Sequence, residues 1–218
     1  MDRTNSHIAS YLNPVFQAAR TQESCVLLEV GIGIGDMYRH LSSIPGYSYL
    51  GFDGSLEVCR NASHNQKAVV YSRLPQFPLK PSSLNVIYFS HVIEHLFDYR
   101  TVVQTLSRMG MALKPNGRLI VLFPEYGSWK DDFYEIDYTH NFPMGIRRMR
   151  QLATDVGFEV ERWTDYCGPY LGISGRAFGL FGKLLPLRTL AALAPKGLGR
   201  LRRSSFIFNR NLLFVLRR

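Results

Sequence analysis

The sequence predicts an α/β fold in which a largely parallel sheet carries helices on both faces. Three observations predict it. Short apolar runs alternate with stretches of helical spacing from residue 25 to the C-terminus. The first apolar run feeds directly into a glycine-rich loop, Gly31, Gly33 and Gly35. The length of 218 residues, 46% hydrophobic and 20% charged, suits one α/β domain with a buried core.

The elements follow in order. Residues 8–20 place Ile8, Leu12, Val15, Phe16 and Ala19 at helical spacing, with Pro14 expected to kink or divide the helix. Residues 25–30 form a buried strand, and residues 36–41 begin a helix. Residues 47–52 form the second strand, followed by a helix over 55–63 that Ser55 can cap. Residues 68–71 and 85–89 read as the third and fourth strands. A helix over 99–113 ends at the turn Lys114 to Gly117, and the fifth strand covers 118–123. Residues 144–156 are helical and closed by Gly157, and strands over 158–163 and 211–216 complete a set of seven.

Composition narrows the function. Cys25, Cys59 and Cys167 are widely spaced, odd in number and form no C-x-x-C pair. That argues against a disulfide framework or a cysteine zinc site and suits a reducing cytoplasm. The N-terminal decapeptide is polar, unlike a secretory signal. The net charge of +9 is local: residues 168–218 hold ten Lys or Arg and no acid, leaving sixteen basic against seventeen acidic residues elsewhere.

In a doubly wound sheet, ligands bind beyond the carboxyl ends of the strands near the switch in strand order. The glycine loop lies at such an end, where absent Cβ atoms allow close backbone approach. A phosphate-binding P-loop requires Gly-Lys-Ser/Thr, whereas this chain has Gly35, Asp36 and Met37. The dinucleotide pattern G-x-G-x-x-G requires glycine at position 36, where Asp36 also repels a pyrophosphate. A cationic or zwitterionic ligand fits better.

From Glu29 to Gly35 the pattern Glu-x-Gly-x-Gly-x-Gly resembles the first motif of class I S-adenosylmethionine-dependent methyltransferases, of the small-molecule or glycan type. Asp53, at the end of the second strand, resembles the second motif. Residues 83–96, with Glu94 and His95, resemble the family's fourth-strand stretch, and residues 113–120 its "LKPGG" turn and strand. Residues 137–158, with Asp137 and His140, resemble a late family motif. The likeness covers residues 25–163 in order and spacing. It implies a Rossmann-like sheet of seven strands with an antiparallel last strand, and S-adenosylmethionine as cofactor. Asp53 would accept both ribose hydroxyls. Gly31, Gly33 and Gly35 would line the methionine and ribose portions, with Glu29 fixing the loop. Ser90 and His91 would flank the sulfonium. Two departures stand out: no acid precedes Leu74 and Pro75, so Ser72, Arg73 or a backbone carbonyl would contact adenine, and Asn85 replaces an aspartate.

Methyl transfer from a sulfonium is an in-line displacement governed by positioning, and a base is needed only for a protonated nucleophile. His140 is the first candidate base; the competing reading is a loop histidine bonded to a backbone carbonyl. His91 and His95 are expected nearer the cofactor, and Glu94 and His95 read as packing and capping groups. Histidine spacing predicts no metal.

Residues 168–209 form an unusually long, basic, apolar insertion between the last two strands of an otherwise single methyltransferase domain, residues 1–218. Its residues 176–205 suit a membrane surface or a lid, with a helical cap or dimer contact as the alternative. Nucleic acid fits less well. The expected acceptor is a small molecule, a glycan or a lipid-linked compound, and the expected location is cytoplasmic, at the inner membrane surface. A non-catalytic cofactor-binding scaffold and an RNA methyltransferase are the alternatives.

Overall fold

The computed structural model describes residues 2–21, 24–65, 68–184 and 206–218. Its strands are β1 (Cys25–Val30), β2 (Tyr47–Asp53), β3 (Val69–Tyr71), β4 (Leu84–Ser90), β5 (Leu113–Pro124), β6 (Glu159–Cys167), β7 (Tyr170–Leu171) and β8 (Asn211–Arg217). They form one sheet in the order β3-β2-β1-β4-β5-β8-β6-β7. The pairs from β3 to β5 are parallel. The last strand, β8, slots antiparallel between β5 and β6, as expected. Seven strands were expected; the eighth is β7, a two-residue hairpin return on β6 too short to leave a periodic signal.

Helices cover both faces. On one side, α1 (Asp2–Ala18) and α2 (Tyr38–Leu41) bury Ile8, Leu12, Phe16 and Leu41 against Leu27, Val86 and Val215. On the other, α4 (Tyr99–Ala112) and α7 (Ile146–Asp155) bury Leu106, Met109 and Met149 against Ile87, Val121 and Phe214. The strands at the centre are buried on both faces, so they read as continuous apolar runs rather than alternating ones. The remaining helices are α3 (Leu56–His64), capped by Ser55, α5 (Tyr126–Trp129), α6 (Asp132–Ile136) and α8 (Gly172–Leu184).

Three local expectations change. Pro14 does not divide α1, because buried Leu12, Val15 and Phe16 hold the helix to the sheet through it, at the cost of one backbone hydrogen bond. The helix after the glycine loop starts at Tyr38 rather than Asp36, since Gly35 adopts φ +82° and keeps the chain in a turn. The turn at residues 114–117 is a bulge inside β5: Leu84 pairs with Leu113 and Val86 already with Arg118.

Asn85 has a structural role that an aspartate could not fill. Its Oδ1 accepts from Val26 N at 3.0 Å, while its Nδ2 donates to Ala19 O at 3.2 Å, tying β4 to β1 and to the end of α1. Helix α8 packs through Gly175, Gly179 and Gly182; a Cβ at Gly182 would lie 2.0 Å from the Phe208 ring. No helix of the described residues is long and apolar enough to cross a membrane. The basic residues Arg188, Lys196, Arg200, Arg202 and Arg203 of the expected insertion lie outside the described residues.

Candidate functional site

Strands β1, β2, β4 and β5 point their carboxyl ends to the same edge of the sheet. The chain moves outward from β1 to β3 and then returns to place β4 on the other side of β1, so the switch in strand order falls between the β1 and β4 ends, where sheets of this kind bind ligands in a crevice. The glycine loop lies at that switch point. Gly31 adopts φ +80° and its N donates to Phe52 O at 2.8 Å. A Cβ there would lie 2.3 Å from Val92 Cγ2, so only glycine fits. Gly33 adopts φ +48°, yet a Cβ on it would meet nothing within 4 Å. The loop is crowded beneath and open above.

Asp53 closes the next wall. Its Oδ2 accepts from Gly33 N at 3.2 Å and its Oδ1 from Ser55 N at 2.8 Å. The carboxylate thus locks loop to strand, and each oxygen retains a lone pair for a ligand hydroxyl. Ser72 and Arg73 reach the same corner: Ser72 N donates to Asp53 O at 3.1 Å, and Arg73 Nε to Gly54 O at 3.4 Å. Glu29 is buried beneath the loop, where it accepts a 2.5 Å hydrogen bond from the Tyr49 hydroxyl. Burial, then the Glu29 carboxylate, pushes the Tyr49 hydroxyl far above its usual pKa, so it stays a donor.

At the end of β4, Ser90 leads into His91, a non-glycine residue at φ +52°. His91 Nε2 lies 3.0 Å from the Tyr166 hydroxyl and its Nδ1 3.1 Å from Glu94 Oε1. Burial raises the Tyr166 hydroxyl well above its ordinary value, followed by the neighbouring Tyr88 and Glu94. Tyr166 therefore donates to His91, and His91 donates onward to Glu94.

Glu94 and His95 sit on a single 3-10 turn, Ile93–His95, rather than at a helix start. Asn141 N and Phe142 N both donate to Glu94 O, at 2.8 and 2.9 Å, which pins the loop after α6 against this turn. That pinning brings His140 beside His95, with ring centroids 4.8 Å apart. His140 is buried and its Nδ1 donates to Phe133 O at 2.5 Å, so the carbonyl contact of the competing reading is present. The same bond leaves Nε2 as the basic nitrogen. Asp137 accepts from Thr139 Oγ1 at 2.7 Å and from Thr139 N at 2.9 Å, and these bonds hold its carboxyl below the usual range.

The residues expected from the sequence therefore gather along one sheet edge, those expected to hold the cofactor around the glycine loop and His140 beyond β4. Sequence reasoning missed Tyr49 and Tyr166. Tyr166 lay past the expected end of its strand at residue 163, whereas β6 runs to Cys167. Glu94 and His95, read as packing and capping groups, each have a polar atom within 4.8 Å of one of His140.

Residues 4–162 match the family model described as a methyltransferase domain. An uncharacterized 37.1 kDa protein in transposon Tn4556 of Streptomyces fradiae is 25% identical over 177 residues, 72% of this chain and 50% of that protein. The chain thus spans about half the length of this curated relative. A SAM-dependent methyltransferase from Archaeoglobus fulgidus has a similar fold, with TM-score 0.66, 16% identity, and coverage of 98% of this chain and 94% of that one. Phosphoethanolamine N-methyltransferase 2 of Haemonchus contortus, solved with S-adenosyl-L-methionine, is similar with TM-score 0.63 and 19% identity, covering 98% of this chain and 52% of that one.

Proposed function

The chain belongs to the methyltransferase-domain family, and from that premise we propose that it binds S-adenosylmethionine in the β1–β4 crevice and transfers the methyl group to an acceptor. The observation that carries this reading is the pairing of Gly33 and Asp53. The loop is open above Gly33, and the Asp53 carboxylate stands at the adjoining strand end, where a ribose diol would meet it. Glu29 braces the loop from below through Tyr49, and Ser90 and His91 border the sulfonium side. Ser72 and Arg73 supply the adenine corner in place of an acid.

Transfer is an in-line displacement, so most of the catalysis is the holding of two reactants in register. His140 is the acceptor-side group, because its Nδ1 bond to Phe133 leaves Nε2 to receive a proton. The acceptor is a small molecule, a glycan or a lipid-linked compound. The lipid-linked case is supported by α8, whose residues Ile173, Ala177, Leu180 and Leu184 share one exposed face. Together with the acid-free basic sequence around it, that face suits the cytoplasmic side of an anionic membrane. The three buried cysteines fit a reducing compartment.

Titration calorimetry with S-adenosylmethionine tests the cofactor site. Wild type should bind, and Asp53→Ala should weaken binding by about tenfold or more, given two charge-assisted bonds lost. Absence of heat with wild type, or unchanged affinity in Asp53→Ala, sinks the reading.

A further inference from the structure

Glu94, His95 and His140 present a ligand set that the sequence expectation of no metal did not include. One candidate ligand atom from each lies within 4.8 Å of those from the other two. Their protonation is fixed by what holds them from behind. His140 Nδ1 faces a carbonyl, Phe133 O, so it must carry the proton and leave the Nε2 lone pair free. The Thr139 hydroxyl gives its proton to Asp137, so Thr139 Oγ1 accepts from His95 Nδ1 at 2.8 Å. His95 Nε2 is then also a free lone pair. Such outer bonds, a carbonyl behind one imidazole and a carboxylate relay behind the other, orient histidines that ligate metals.

The carboxylate supplies an independent sign. Glu94 is 1% exposed, and although Oε1 receives His91, Oε2 is buried with no hydrogen-bond partner. A buried carboxylate oxygen without a donor is costly, and a cation beside it removes the cost. In this tautomeric state the second nitrogen of each imidazole carries no proton to offer the carboxylate. A cation is the one partner that all three atoms accept together.

We propose that Glu94, His95 and His140 bind one divalent transition-metal ion, with zinc as its working example, beside the methyl-transfer crevice. Two imidazoles and one carboxylate are a common ligand set for catalytic zinc and for other first-row metals, with positions left open to a substrate. Tetrahedral ligands on bonds of about 2.0–2.1 Å stand about 3.3 Å apart, so small side-chain rotations close the cluster on the ion.

The site deepens the methyl-transfer reading, on which its function rests, by favouring an acceptor that carries a hydroxyl. A hydroxyl on an open metal position loses its proton to solvent more readily. Its oxygen then forms the O–CH3 bond as the sulfonium C–S bond breaks, leaving the electron pair on sulfur. His140 acts as a ligand in this scheme rather than as a lone base.

The test titrates Zn²⁺ into the chelator-treated full chain, in parallel with S-adenosylmethionine, and records the visible absorption of a Co²⁺-loaded sample. One equivalent of Zn²⁺ should bind, and Co²⁺ should show bands of low coordination number. Glu94→Gln and His140→Gln should each weaken Zn²⁺ binding by more than about tenfold. Retained S-adenosylmethionine binding reports that each variant is folded, and His95→Gln stands in if either is not. Cofactor binding without stoichiometric Zn²⁺ binding, or Zn²⁺ binding unmoved by these variants, overturns the metal site alone. Zn²⁺ binding lost in variants that melt as wild type does, with no cofactor binding by wild type, upholds the site and overturns methyl transfer.

Discussion

Gly31 shows how a single atom controls the crevice. It combines φ +80° with a Cβ position 2.3 Å from Val92 Cγ2, and Val92 belongs to the turn that carries Glu94. Gly31→Ala must therefore push the β1 loop away from the end of β4, at a cost of about 1–3 kcal/mol from backbone strain and overpacking. Thermal melting should show the loss of stability, and calorimetry a fall in S-adenosylmethionine affinity; unchanged melting and affinity would refute the crowding argument. The contrast with Gly33, which has open space above it, could not be read from the sequence, where all three glycines look alike. Asp53 came from the motif resemblance, which picks out an acid at the end of the second strand, 18 residues past Gly35. The cluster of Glu94 with His140 was not legible, since 45 residues separate them and long-range bonds, from Asn141 N and Phe142 N to Glu94 O and between His95 and Thr139, join the two segments. Local spacing carries no trace of such a contact.

Among the elements, the parallel half of the sheet was legible because its strands are short, mostly apolar runs bounded by turn residues. What escaped were ends and short pieces, such as β7, the 3-10 turn at Ile93 and the last residues of β6, where tertiary pairing rather than periodicity sets the boundary. Helix α4 has an end that was written in the chain. Asp98 caps it, with Oδ1 accepting from Thr101 N at 2.7 Å. That backbone bond first, and a bond with the Thr101 side chain second, holds the Asp98 carboxyl below its ordinary value. A depressed folded-state pKa means that the charged carboxylate stabilises the fold above the unfolded value of about 3.9. The contribution is lost as pH falls through the lower folded value. Asp98→Asn keeps a capping oxygen but no charge. Wild type should therefore melt above Asp98→Asn at pH 7, and the gap should narrow as the pH falls below the unfolded value of about 3.9 and close below the lower folded one. A gap independent of pH would show that the charge contributes nothing at this cap.

At the scale of the whole molecule, excess charge and exposed apolar residues fall in the same stretch of sequence. The net charge of +9 comes entirely from residues 168–218, which hold ten basic residues and no acid. Helix α8 lies in the same region, turning its glycines toward β6 and Phe208 and leaving Ile173 85%, Leu180 64% and Leu184 76% exposed. A soluble partner surface would not require both features, whereas an anionic bilayer takes the apolar face into its interface and attracts each nearby Lys or Arg by about 1 kcal/mol. Vesicles of phosphatidylcholine with phosphatidylserine should accordingly sediment the protein, and pure phosphatidylcholine vesicles should do so far less. Leu180→Glu with Leu184→Glu should lower binding by about tenfold or more without moving the melting temperature, because both side chains are already exposed and only the bilayer contact is lost. An RNA-directed role predicts the opposite pattern. Binding to RNA would fall steeply with salt and ignore the two glutamates, while neither vesicle type would sediment the protein. That result would return the basic segment to nucleic acid and remove the lipid-linked acceptor from the proposal.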